Sequence, residues 1–355
     1  HGVEKRSKVR SRIVADQLVR LIKEADHVVI MGHRMSDLDA IGSAEGVLRI
    51  CKICDVPAVI AVRRDATLAG SLINALIAAG QEDDFIDPKG ALPIISQRTL
   101  CIVVDTYQLG LVESREILEK CGKVAVIDHH RKGVGFIEKA DLVCHEPYAS
   151  SASELVTEFL QYVGDRDDKP NRIEAEGLLS GIMLDTRDFT LHTGVRTFEA
   201  AAALRRYGAE TEHVRQLFDV SMVEYTTKAT LVSEAQMYRG CAITVSGEVA
   251  PEARVAIAQA ANDLLTIQNV EASFVAVQVG GGVNISARSL GAVNVQVIME
   301  SLGGGGHQTM AAAQLKHITP EAVRSRIQTA IDQYREAQKK SGLESESEQK
   351  KKDKQ

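Results

Sequence analysis

Three short apolar runs each lead directly into acidic or imidazole side chains, and this repeated pairing constrains the chain more than any other feature. The runs are His27-Val28-Val29-Ile30-Met31, Thr99-Leu100-Cys101-Ile102-Val103-Val104 and Lys123-Val124-Ala125-Val126-Ile127. Behind them stand His33, Asp37 and Asp39, then Asp105, then Asp128-His129-His130. Strands this apolar are covered on both faces, as in a doubly wound parallel sheet, so residues just past their ends emerge along one edge. Open α/β sheets bind ligands at that edge. A fourth segment, Gly177 to Leu184, reads as a helix and ends on Asp185.

One Asp or His after a strand is usually a helix cap or a turn former. Four such sites in order are different, because converging buried carboxylates cost several kcal/mol each without a compensating charge. Two divalent ions supply that charge, and oxygen-rich ligation with a few imidazoles favours Mn²⁺ or Mg²⁺ over a thiolate-loving metal. Asp37 and Asp39 are one residue apart, so in an extended loop they point the same way and can each reach a different ion. Asp39 can also cap the following helix. Asp128, pointing away from His129 along a continuing strand, is expected to orient a ligand imidazole.

At 355 residues and 45% apolar content, the chain can bury two cores. Its net charge of −6 argues against a grip on long nucleic acid. Six cysteines, none in a zinc-type arrangement, suit a reducing compartment. Cys51 and Cys54 fall in a helical stretch and read as core residues. No stretch approaches the ~20 apolar residues that span a bilayer. The start at His1 without Met, followed by charged residues, reads as a linker over 1–13 in an excised piece. A doubly wound domain is expected from Val14 to Tyr207, a helical connector over 208–225, a smaller α/β domain over 226–338 with a cleft between the two, and a disordered tail over 339–355, where Glu, Ser and Lys leave nothing to bury. In the second domain, strands are expected near Cys241–Ser246, Ser273–Val279 and Val283–Ser289. A helix from Pro251 to Leu265 is expected between the first two.

The Asp128-His129-His130 triplet, with His33-x₃-Asp37-x-Asp39 upstream, resembles the DHH superfamily of phosphoesterases. Asn284 to Ser289, followed by Gly303-Gly304-Gly305-Gly306-His307, resembles the associated DHHA1 substrate domain. Residues 28–42, from Val28-Val29-Ile30-Met31-Gly32-His33 onward, are most similar to membrane-anchored cyclic di-AMP phosphodiesterases with upstream PAS and degenerate GGDEF domains. The resemblance implies that two Mn²⁺ ions, with Mg²⁺ or Co²⁺ as substitutes, are held by His33, Asp37 and Asp105 on one side and by Asp39, Asp105, His129 and Asp185 on the other. Asp105 bridges, and a shared hydroxide attacks phosphorus. His130 would act on the scissile phosphate.

Ser286, Arg288, Gly304, Gly305, Gly306 and His307 would hold the second phosphate or nucleoside, the glycines by letting backbone N–H groups crowd an anion. His145 and His192 read as ordinary polar residues, and Tyr148 to Glu154 as a capped helix start near the sheet edge. The implied reaction is hydrolysis of cyclic di-AMP to 5′-pApA by the cytoplasmic part of a bacterial membrane protein, without its upstream sensory domains; the resemblance is compatible with a homodimer. A pApA or pAp phosphatase or short-oligonucleotide exonuclease of the same superfamily is the alternative, and a cyclic dinucleotide sensor without turnover is the alternative of another class.

Overall fold

The computed structural model describes residues 7–130, 135–218, 222–249, 254–279, 281–306, 308–316 and 318–352. The chain divides into two units, His1–Asp219 and Val220–Gln355. That boundary falls inside the stretch expected to be a connector.

Six parallel strands form the first unit's sheet: β1 (His27–Met31), β2 (Ala58–Ala61), β3 (Phe85–Ile86), β4 (Thr99–Val104), β5 (Lys123–Asp128) and β6 (Leu142–His145). Their order is β3-β2-β1-β4-β5-β6. The helices are α1 (Lys8–Glu24), α2 (Leu38–Ile53), α3 (Gly70–Ala78), α4 (Pro88–Ala91), α5 (Arg115–Lys120), α6 (Ala152–Leu160), α7 (Arg172–Thr186), α8 (Val195–Arg206) and α9 (Thr211–Gln216). Alternate strand residues enter two cores. Val28, Ile30, Ile102 and Ile127 pack on one face with α2, α6 and α7, while Val29, Met31, Val103 and Val126 pack on the other with Ile117 of α5. Burial on both faces is why these strands read as unbroken apolar runs.

The first helix begins earlier than Val14. Ser7 caps it by accepting from the Arg10 amide, and Ser11, Ala15, Leu18 and Ile22 bury one helical face. Residues 8–13 therefore belong to the first unit rather than to a linker.

Helix α2 is buried from Leu38 through Leu48 and crosses α7 closely. A Cβ placed on Gly42 would lie 2.3 Å from the Gly177 carbonyl oxygen, so only glycine fits there. Glu45, in the same helix, is 1% exposed, and neither of its carboxyl oxygens has a hydrogen-bond partner. Burial, reinforced by Glu174 and Asp84 against Lys52 and Arg49, pushes its carboxyl up to about 8 from 4.5. With the folded value above the unfolded one, its contribution to stability is fully present below about 4.5 and is lost as pH rises through about 8. Glu45→Gln should raise the melting temperature at about pH 8 and leave it nearly unchanged at about pH 5. Thermal melts at both values check this, and equal shifts at the two would remove Glu45 as the cause.

In the second unit the strands are β7 (Gln236–Tyr238), β8 (Cys241–Glu248), β9 (Ala272–Val279), β10 (Gly282–Ser289), β11 (Gly305–Gly306) and β12 (Met310–Lys316), in the order β11-β12-β10-β9-β8-β7. Only β8 and β9 pair in parallel; the other neighbours are antiparallel. The helices are α10 (Met222–Ser233), α11 (Arg254–Leu264), α12 (Val295–Ser301) and α13 (Pro320–Lys352). Leu231 of α10 and Ala260 and Leu264 of α11 pack on one face of this sheet; Ile298 of α12 and Ile327 and Ile331 of α13 pack on the other. The α13 backbone extends as far as Lys352 into the segment expected to be disordered, whose last three residues lie outside the described ones. Glu, Lys and Gln are good helix formers, so lack of anything to bury does not forbid helical backbone. Among the described residues, no helix is long and apolar enough to cross a membrane.

Candidate metal centre

Strand order reverses between β1 and β4, because the chain leaves β1 toward β2 on one side and reaches β4 on the other. The crevice at such a switch point is where doubly wound sheets bind ligands. His33 follows β1 and Asp105 follows β4, so both emerge there. Asp105 is left-handed (φ 58°), a conformation Asp tolerates better than most residues, and its amide donates to the Ile127 carbonyl at 2.9 Å.

The two oxygens of Asp105 face different imidazoles. Oδ2 lies 3.4 Å from His33 Nε2, and Oδ1 lies 3.4 Å from His129 Nε2. His33 Nε2 also stands 3.8 Å from Asp37 Oδ1. His129 Nε2 stands 3.0 Å from Asp185 Oδ2 and 3.8 Å from Asp39 Oδ2. Ligand atoms of His33, Asp37 and Asp105 lie within 4.8 Å of one another, as do those of Asp39, Asp105, His129 and Asp185. A third group, Asp105, His129 and His130, meets the same limit.

Local structure fixes each carboxylate differently. Asp37, not Asp39, caps α2: its Oδ1 accepts from the amides of Asp39 at 3.0 Å and Ala40 at 3.1 Å. Asp39 lies inside the first turn, so the two aspartates are held by a helix start rather than an extended loop. The fully buried Asp39 carboxylate accepts from the amides of Ala152 at 2.7 Å and Ser153 at 2.8 Å, at the start of α6. A helix N-terminus favours such an anion. Helix α7 approaches Asp39 through Gly181, where a Cβ would lie 2.6 Å from Asp39 Oδ1. Asp185 occupies the last turn of α7, which contains no basic residue, and the chain leaves it through left-handed Arg187, Asp188 and Phe189. A carboxylate at that helix end opposes the helix dipole.

These residues fit a cation. The buried Asp105 Oδ1 and His129 Nε2 have no hydrogen-bond partner although they face one another. Burial and the nearby Asp105 and Asp185 push the Asp39 carboxyl well above the usual range. Burial pulls His33 down, but Asp105 and Asp37 overcome it and hold the imidazole at about 10. The Asp39 carboxyl driven toward neutrality and the His33 imidazole driven toward charge both register a deficit of positive charge, which a divalent ion would supply. At Asp105 burial pushes the carboxyl up, but the neighbouring imidazoles of His129 and His33 outweigh it and hold the group below its usual range.

Asp128, expected to orient a metal-binding imidazole, meets His130, which is not among the residues expected to hold the ions. Its Oδ1 lies 2.8 Å from His130 Nδ1, whereas His129 faces the cluster. His145 also had more company than its sequence context suggested: its Nε2 lies at hydrogen-bond distance from the His130 carbonyl, and its ring meets Tyr107 edge-on at 5.3 Å. Only the β5–β6 pairing, which sets Asp128 opposite His145, brings these positions together.

In the second unit, Ser286 and Arg288 share one face of β10. Arg288 Nη1 donates to Ser286 Oγ at 3.1 Å and to the Ala287 carbonyl at 2.9 Å. The glycine run is partly a packing device rather than an open anion loop. Gly305 and Gly306 form the edge strand β11 against β12, and a Cβ on Gly304 would lie 2.2 Å from the Ala312 carbonyl oxygen. His307 lies outside the described residues.

Residues 27–182 match the DHH family, N-terminal domain, and residues 249–338 match the DHHA1 domain. A cyclic-di-AMP phosphodiesterase GdpP of Geobacillus thermodenitrificans is 45% identical over 342 residues, 95% of this chain and 52% of that protein. The chain thus spans about half the length of this and two other curated cyclic-di-AMP phosphodiesterases that it matches at 41% and 42% identity. An exopolyphosphatase-related protein from Bacteroides fragilis superposes with a TM-score of 0.77 at 20% identity, covering 92% of this chain and 98% of that one. RecJ from Thermus thermophilus in complex with Mn²⁺ gives 0.51 at 15% identity, covering 91% and 55%. The two family models thus match in order along the chain, a DHH-family N-terminal domain followed by a DHHA1 domain.

Proposed function

We propose that the chain hydrolyses cyclic di-AMP to linear 5′-pApA as a two-metal phosphodiesterase, and that it is the cytoplasmic catalytic part of a longer bacterial membrane protein. The observation that carries this reading is the shared carboxylate of Asp105, with one oxygen toward His33 and the other toward His129. The substrate comes from the 45% identity to a named cyclic-di-AMP phosphodiesterase.

His33, Asp37 and Asp105 would hold one ion; Asp39, Asp105, His129 and Asp185 would hold the other. Two Mn²⁺ ions suit this mixture of carboxylates and imidazoles, with Mg²⁺ or Co²⁺ as substitutes. Bound there, such ions supply Lewis-acid charge that lowers the pKa of water and stabilises a phosphoryl group. The protein's own part is to fix geometry. Asp128 holds His130 through Nδ1, which leaves Nε2 as the atom that can donate to a phosphate oxygen. Ser286, Arg288 and Gly304 to Gly306, with His307, are assigned to the far nucleotide.

Chromatography of cyclic di-AMP incubated with the protein and Mn²⁺ tests the reading. We expect pApA to accumulate, and chelation to stop its formation. AMP appearing without pApA would make the chain a nuclease of the same family. Unchanged cyclic di-AMP in the presence of Mn²⁺ would favour the sensor.

A further inference from the structure

An ion pair lies beside the metal loop without belonging to it. Glu113 has a fully buried side chain, and its Oε1 accepts from Arg63 Nε at 2.5 Å. Arg63 follows β2, while Glu113 lies in the segment after β4, and β1 runs between those strands. The pair therefore bridges the end of β1, where Gly32 and His33 emerge.

Backbone bonds tie both partners' segments to that loop. Glu113 N donates to the Gly32 carbonyl at 2.9 Å, and Arg34 N donates to the Leu111 carbonyl at 2.8 Å. His33 and Val112 form an isolated antiparallel bridge. From the other side, Leu68 N at 2.8 Å and Thr67 Oγ1 at 2.7 Å both donate to the carbonyl of buried Ser36. Ser36 Oγ donates back to the His33 carbonyl at 2.6 Å. Residues 33–37 are thus held between two segments, and Arg63–Glu113 is the side-chain link joining them.

We propose that Arg63 and Glu113 are positioning residues that set the affinity of one ion, the one held by His33 and Asp37. This rests on the two-ion reading above. Neither residue touches the Asp39, His129 and Asp185 side of the cluster through any bond described, so the second ion should be spared. Loss of a group that orients metal ligands costs about tenfold to a hundredfold in affinity.

Titration of the whole chain with Mn²⁺, reading free Mn²⁺ by electron paramagnetic resonance, separates the outcomes. The parent should bind two equivalents. In Arg63→Gln and Glu113→Gln, one equivalent should weaken by about tenfold to a hundredfold while the other keeps its parent affinity. Arg63→Lys, which keeps the charge beside Glu113, should return most of the loss. Turnover by the Gln variants should recover at high Mn²⁺. Two unchanged equivalents in both Gln variants would overturn the inference and leave the metal reading standing. So would equal weakening of both equivalents alongside a lowered melting temperature, which marks general loosening. A parent that binds fewer than two equivalents would remove the two-ion reading, and this inference with it.

Discussion

Asp105→Ala is expected to abolish turnover and release bound metal, with a larger effect than any other single ligand change. Asp105 is the only residue common to all three candidate ligand groups among the described residues, and its oxygens divide between His33 and His129. Its loss would loosen both ions at once, beyond the about 10–100-fold that follows loss of an outer-shell partner. Ala also tolerates the left-handed backbone here (φ 58°) less well than Asp, so folding could contribute to the loss. Asp105→Asn separates the two causes. Asn accepts that backbone conformation but carries no charge, and it should keep the parent's melting temperature while losing metal and turnover. Elemental analysis beside kinetics checks this. An Asn variant retaining two metal equivalents and near-parent rates would show that Asp105 does not bridge.

Gly42→Val is expected to be severely damaging although it alters no metal ligand. The new Cβ would stand 2.3 Å from a backbone carbonyl oxygen of α7, which cannot rotate away as a side chain can. Overpacking a core typically costs about 1–3 kcal/mol, and a backbone clash belongs at or above the upper end. For a unit of this size, about 3 kcal/mol lowers the melting temperature by roughly 6–12 °C. Function should suffer too, because α2 carries Asp39 and α7 carries Asp185. Separating the helices would pull these carboxylates apart, so the surviving folded protein should bind Mn²⁺ more weakly. Gly177→Ala is the comparison: its Cβ meets the side-chain ends of Leu72 at 3.3 and 3.5 Å and the Gly42 Cα only at an ordinary contact distance of 3.9 Å, so it should cost far less. Calorimetry of both variants decides, and similar losses would show that the α2–α7 crossing is not the constraint.

The apolar runs of β1, β4 and β5 were legible because burial on both faces keeps the middle of each strand apolar, and the polar residues at and beyond their ends announced the edge. Asp185 was legible as the end of a helical segment. Local patterning also revealed the cap of α6, where Ser151 accepts from the Glu154 amide. The sequence did not reveal that this same helix start holds the Asp39 carboxylate, because Ala152 and Ser153 donate across a separation of more than a hundred residues.

What the sequence determined by itself was therefore the chemistry: which strands are buried, which acids and imidazoles stand at their ends, and that such a set suits a cation. Tertiary structure alone decided the partnerships. Asp128 turned to His130, His145 to the His130 carbonyl, Arg63 to Glu113 across β1, and the glycine run to the edge of a sheet. The physical reason is range. Burial and helix capping act within a few residues and leave a mark in composition and spacing, whereas a hydrogen bond or ion pair between distant segments depends on strand order and helix crossings, which only the assembled fold sets.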